Sequence, residues 1–153
     1  MSERFELTQP PPPGPRRDFS FPHFEVVRLD NGLTIYTLAE SSVPLVNVEV
    51  LSHAGGLFNP LERPGLASLH GDLLDEGTSQ SSSLELAQRG EALGGSLRSG
   101  AGWHLSYTDI GLLSTSLREG CELLAEVVLD AAFPAQELER LRAEALASIL
   151  RRR

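Results

Sequence analysis

The sequence predicts an α+β fold, a mainly antiparallel sheet with helices packed on one face, from three observations. An Asn-Gly pair flanked by alternating apolar runs signals a β-hairpin near the start. Strand-like and helix-like periodicities then follow in the order β-β-β-α-α-β-β-α-α, which groups strands and helices in blocks. The composition is that of a globular chain: 153 residues, 41% hydrophobic, 22% charged and 6% aromatic, with no run near the ~20 apolar residues of a membrane helix. Domains of this size bury roughly 70% of their unfolded surface, so one core is expected.

Residues 1–22 read as a proline-rich arm, because Pro10 to Pro13, Gly14 and Pro15 favour extended polyproline II and exclude helix. Residues 23–153 form the folded part. Its first element is the hairpin in "FEVVRLDNGLTIYTLAE", turning at Asp30-Asn31-Gly32. A third strand lies in "PLVNVEVLSHAG", where Val46, Val48 and Val50 form one face, expected to be buried. Gly55, Gly56, Asn59, Pro60 and Pro64 then mark a loop.

Pro64 is placed to open a helix reaching about Asp75, with Leu66, Leu69, Leu73 and Leu74 as its apolar stripe. A second short helix in "TSQSSSLELAQRGEALGG" has a serine cluster for its cap and Gly94-Gly95 for its stop. "SLRSGAGWHLSYTDIGLLSTSL" reads as two strands joined by a turn at Gly100 to Gly102, with alternation clearest from Trp103 to Leu113. Two helices, in "REGCELLAEVVLDAAF" and "PAQELERLRAEALASILRRR", complete the order.

The net charge is -8, and every basic residue is Arg, which argues against nucleic acid as a partner. This acidity is compatible with holding basic peptides, but solubility is the plainer reading, since many soluble proteins carry such a charge. The single cysteine, Cys121, allows neither an intrachain disulfide nor a thiolate zinc cluster, and in its apolar helix it is expected to be buried. Glu3 and Glu6 with no apolar stretch make a poor secretory signal, so the expected compartment is cytoplasmic, with no membrane partner.

The segment "GLASLHGDLLDEGT", Gly65 to Thr78, carries the densest polar chemistry. On a helix, Ser68, Asp72 and either Asp75 or Glu76 share a face, whereas His70 lies about 200° from Asp72. Asp72 with Glu76 is a hard-oxygen pair suited to weak Mg or Ca binding; the blander reading is a solvated acidic helix end. His53 and His104 have no partner at ligand spacing, and no His/Asp arrangement surrounds Ser68.

In order and spacing, "LDNGLTIYTLAE", "VNVEVLSHAGGLFNP", "GLASLHGDLLDEGT", "ALGGSLRSGAGWHLSYTDIGLLS" and "PAQELERLRAEALASI" resemble the M16 peptidases, the insulinase, pitrilysin and mitochondrial processing peptidase family. The match spans nearly everything after the arm. In catalytic members the motif helix carries H-x-x-E-H, two zinc-binding histidines one turn apart with a Glu that activates the metal-bound water. Alignment without a gap on Gly65-Leu66-Ala67 and Gly77-Thr78 puts Ser68 at the first His, Gly71 at the base and Asp72 at the second His. The third ligand, a Glu on a later helix, falls on Ser148. None of these positions keeps its residue, so no catalytic or metal-binding residue is expected here.

The resemblance implies a pseudo-peptidase: a subunit that pairs with an active M16 chain, or with its own copy, and helps hold an extended peptide. Zinc is then expected only in the active partner. Peptide binding by strand addition to a sheet edge points to "AGWHLSYTD", with Trp103, His104, Ser106 and Tyr107 as candidates. The resemblance also implies that the chain covers only the first part of one family repeat. Two alternatives stay open: a hydrolase using a rearranged site at Asp72, Asp75, Glu76 or His70, and a purely structural assembly subunit.

Overall fold

The computed structural model describes residues 14–16, 18–40 and 42–152, so the proline run Pro10 to Pro13 lies outside the described residues. The chain divides into two units, Met1–Ser41 and Ser42–Arg153.

The first unit is a two-stranded antiparallel hairpin of β1 (Glu25–Arg28) and β2 (Thr34–Thr37), in the register Glu25↔Thr37 to Arg28↔Thr34. Its loop closes where Leu29 N–H donates to the Leu33 carbonyl at 2.9 Å, while Asn31 Oδ1 accepts from Leu33 N–H at 3.1 Å. Gly32 takes φ +91°, the left-handed conformation that makes Asn-Gly a hairpin signal. Phe19, Phe21, Phe24 and Tyr36 make successive ring contacts with centroids 6.1–6.4 Å apart.

The second unit is built on a three-stranded antiparallel sheet in the order β3-β5-β4, with β3 at Leu45–Ser52, β4 at Ser96–Ala101 and β5 at Ser106–Leu113. Strand alternation sets one face toward the helices, where Val46, Val48 and Val50 pair with Leu112, Ile110 and Thr108, but the three valines are half-buried rather than buried as expected. Four helices follow the chain as α1 (Leu66–Leu73), α2 (Ser83–Ala92), α3 (Leu117–Leu129) and α4 (Ala135–Arg151). Leu86 of α2 and Leu123, Leu124 and Val127 of α3 pack on Ile110 and Leu112 with Leu74 to make the core. Full burial of each such side chain contributes roughly 1.5–3 kcal/mol.

Local rules set the helix ends. Ser82 caps α2 in a reciprocal capping box with Glu85, whose carboxyl is thereby held below its usual range. Gly94, at φ +83°, follows it in the left-handed conformation. In α3, Gly120 lies under Leu112, so close that a Cβ there would meet Leu112 Cδ2 at 2.2 Å.

Several sequence expectations are corrected. Pro64 does not open α1; the cap is Gly65 at φ +89°, and the helix ends at Leu73. Leu66 is exposed, and the buried face runs through Ala67, Gly71 and Leu73. The β4–β5 turn lies at Gly102 to Leu105, not at Gly100 to Gly102, closed by Gly102 N–H donating to the Leu105 carbonyl at 2.8 Å. Cys121 is exposed, because it faces away from the stripe of Gly120, Leu123, Leu124 and Val127 that α3 turns to the core. Among the described residues no helix is long and apolar enough to cross a membrane.

Candidate functional site

Helix α1 is held at its start by a distant side chain. Gly65 offers no capping oxygen, and Asn59 Oδ1 instead accepts from Ala67 N–H at 2.9 Å, satisfying one of the orphan donors of the first turn. At the other end, Gly77 takes φ +143° and Thr78 is buried. The Thr78 hydroxyl accepts from Ser81 N–H at 3.0 Å and donates to Glu126 of α3 at 2.8 Å. The Gly-Leu-Ala and Gly-Thr flanks therefore both lie at structurally fixed points.

Between them the four positions of interest separate. Ser68 and Asp72 are exposed, one turn apart, and Ser148 is half-buried on α4, which packs against α1. Gly71 faces the sheet and is buried against β4. An added Cβ there would lie 2.4 Å from the Gly100 carbonyl carbon, 2.7 Å from Ala101 N and 2.8 Å from Gly100 Cα.

The nearby acids and His70 do not converge. Asp75 Oδ1 accepts from the Ser99 hydroxyl at 2.6 Å, tying the end of α1 to β4. Glu76 pairs with Arg140 of α4, which also binds Glu137 at 2.6 Å and Glu144 at 3.0 Å. These hydrogen bonds hold the Arg140 guanidinium above its ordinary range. The Asp72 carboxyl is pushed up, first by loss of hydration and then by the neighbouring Asp75.

His70 points the other way and stacks on Phe133, with ring centroids 5.4 Å apart. Both line a cavity of about 260 Å³ with Leu74, Ser106 and Thr108, and no carboxylate lines it. It lacks the acid of a Ser-His-Asp arrangement.

A catalytic zinc needs three converging nitrogen, sulfur or carboxylate donors. The four positions supply one carboxylate, Asp72, with two hydroxyls and a glycine that has no room for a side chain, so they do not fit zinc. Among the described residues no three His, Cys, Asp or Glu side chains come together as a metal group.

The peptide candidates also part company. Trp103 and His104 sit exposed in the β4–β5 turn, whereas Ser106 and Tyr107 lie on β5. Strand β5 is central, with Ser106 paired to both Ser52 and Ala101, and Tyr107 to both Leu51 and Gly100. Backbone strand addition at Ser106 and Tyr107, expected from sequence, is therefore blocked; β4 is the strand at the sheet's edge beside this turn.

The turn is in turn bolted to the glycine loop. Gly55 N–H donates to the His104 carbonyl at 3.3 Å, Gly56 N–H to Gly102 at 2.9 Å and Leu57 N–H to Trp103 at 2.8 Å. A Cβ on Gly55 would come within 2.5 Å of the His104 carbonyl carbon, so close backbone approach explains that glycine, while Gly65 is explained by its positive φ alone. Sequence reasoning read Asn59 only as a loop marker and passed over Ser99 and Arg140; the roles of all three rest on partners outside their own segment. Gly100 carried a usable signal, since a glycine inside a strand often marks close approach of another backbone.

Comparison with known proteins matches this fold. An uncharacterized zinc protease of Rickettsia bellii (strain RML369-C) is 23% identical over 118 residues, covering 77% of this chain and 29% of its own length. The crystal structure of a peptidase M16 inactive domain from Pseudomonas fluorescens superposes with a TM-score of 0.75 at 27% identity, over 82% of this chain and 31% of that one. A protease from Helicobacter pylori superposes at 0.73 with 21% identity, over 82% and 31%. The chain thus spans about three-tenths of the length of these relatives. The family profile described as insulinase (peptidase family M16) matches residues 35–150, and the chain belongs to that family.

Proposed function

We propose that this chain is a non-catalytic M16 subunit that pairs with an M16 zinc peptidase carrying an intact H-x-x-E-H and contributes peptide-binding surface to it. The observation that carries this reading is the donor set at the motif positions: Ser68, Gly71, Asp72 and Ser148 provide neither a zinc cage nor a general base. The likeness to an M16 inactive domain at 27% identity supports it. The rearranged-site alternative is disfavoured, because Asp75 and Glu76 are engaged by Ser99 and Arg140, and His70 turns away to Phe133.

An extended peptide would lie along β4, whose outer side is an edge of the three-stranded sheet, with Trp103 and His104 in the adjoining turn. The pairing is tested by adding the chain to an M16 peptidase with an intact motif and following cleavage of an extended peptide. The mixture should exceed the partner alone, and the chain by itself should cleave nothing. Within an active pair, Trp103→Ala should raise KM with kcat unchanged, the signature of lost uniform binding. A mixture no more active than the partner alone, in a stable complex, would favour the purely structural subunit.

A further inference from the structure

Resting on that reading, we infer that the general base of a zinc hydrolase is excluded here by the spacing of two backbones, α1 against β4, and not only by the identity of the residue at position 71. Restoring the three ligands and the base would not restore a catalytic site.

At Gly71 the helix has no side chain to hold it off the strand. The position a Cβ would take is 2.4 Å from the Gly100 carbonyl carbon, about an ångström short of ordinary van der Waals contact. The obstructing atoms are all main chain, so no rotamer change relieves the overlap. Gly71 corresponds to the base position of the resembling motif, and a glutamate there would have to force the two elements apart.

Neither element is free to move. Gly100 is covered on the opposite face of the sheet by Tyr107: a Cβ on Gly100 would lie 2.7 Å from the phenolic oxygen and 2.8 Å from Cζ. Strand β4 is also paired to β5 through Ser99↔Thr108, Gly100↔Tyr107 and Ala101↔Ser106. Helix α1 is fixed at its first turn by Asn59, and just beyond its end by Asp75 to Ser99 and Glu76 to Arg140. Gly71, Gly100 and Tyr107 thus form a stack through the sheet in which two successive glycines are required. In a close-packed interior such a joint yields at a cost rather than by flowing around the intruder.

The other three positions carry no such constraint. Ser68 and Asp72 are exposed, so larger side chains can extend into solvent there, and Ser148 is half-buried. The two classes of substitution therefore separate the spacing from the ligand set.

The test compares three variants of the chain by thermal unfolding and by zinc retained after dialysis. S68H/D72H/S148E should melt near the wild type. Gly71→Ala should lower the Tm by about 5–10 °C, the effect of an overpacked methyl in a chain of this size. Adding G71E to the triple variant should abolish cooperative unfolding or lower the Tm further, with no chelator-sensitive peptide cleavage. Gly71→Ala melting like the wild type would overturn the inference, as would a quadruple variant that folds like the triple one and cleaves with bound zinc. Tight zinc or cleavage in the wild-type chain would instead overturn the non-catalytic reading itself, so the two failures are distinguishable.

Discussion

The Thr78 hydroxyl donates to Glu126 Oε1 at 2.8 Å, joining the Gly-Thr that closes the motif segment to the last turn of α3. The same carboxylate accepts from Ser81 Oγ at 3.1 Å and pairs with Arg89 of α2 at 2.8 Å, so one side chain gathers a loop and two helices.

Burial alone would raise the Glu126 carboxyl, but the hydrogen bonds from Thr78, Arg89 and Ser81 outweigh it and hold the group below its usual range. A lowered folded-state pKa stabilises the fold above the unfolded value, about 4.3 for Glu, and that stability is lost as pH falls through the folded value. Glu126→Ala should therefore destabilise the chain by about 2 kcal/mol at pH 7. Denaturant titrations should show the gap from wild type closing below about pH 4.

Asp72 has the opposite sign. Its raised carboxyl means that the folded state disfavours the charge, so ionisation costs stability once pH passes above the unfolded value. Asp72→Asn should slightly raise the Tm at pH 7, by no more than a surface substitution commonly does, and the gain should vanish as pH falls and the wild-type carboxyl protonates. A loss of stability at pH 7 would show that Asp72 has a favourable partner.

Two ion pairs that look alike should behave differently. Arg98 binds Asp109 at 2.8 Å, and the Asp109 side chain is only 8% exposed. Arg98→Ala leaves that carboxylate buried without its cation and should lower the Tm by several degrees. Arg140 bonds to three carboxylates, Glu76, Glu137 and Glu144, which are 20%, 24% and 61% exposed, so each keeps more water than Asp109. Solvent and salt screen such contacts, so Arg140→Ala should shift the Tm much less, and less still at high salt.

The glycine loop offers a local test. Gly55→Ala sets a methyl against the main chain of Trp103, His104 and Leu105 and should cost about 1–3 kcal/mol in equilibrium unfolding. Asn59→Ala removes the remote cap of α1 and should cost about 1 kcal/mol.

These residues also show where the sequence could be read and where it could not. The hairpin at Asn31-Gly32 and the valine face of β3 were legible because turn chemistry and strand alternation are local. The flanks of the motif segment were legible as fixed points, since Gly65 and Gly77 take positive φ and Thr78 is buried. The β4–β5 turn was misplaced, since Gly100 resembles a turn residue while serving as the strand's contact with α1 and Tyr107. Cys121 was misassigned by treating a helix as uniformly apolar when only one stripe is buried. That Gly71 touches β4 was not legible at all, because a helix glycine in sequence signals only a propensity cost.

The proposed non-catalytic role requires that this chain perform no zinc chemistry of its own. Metal content after dialysis, measured with peptide cleavage on the chain alone with and without chelator, tests it most directly. Zinc far below one per chain and no cleavage in either condition are the expected results. One tightly held zinc per chain, with cleavage that the chelator removes, would contradict that role.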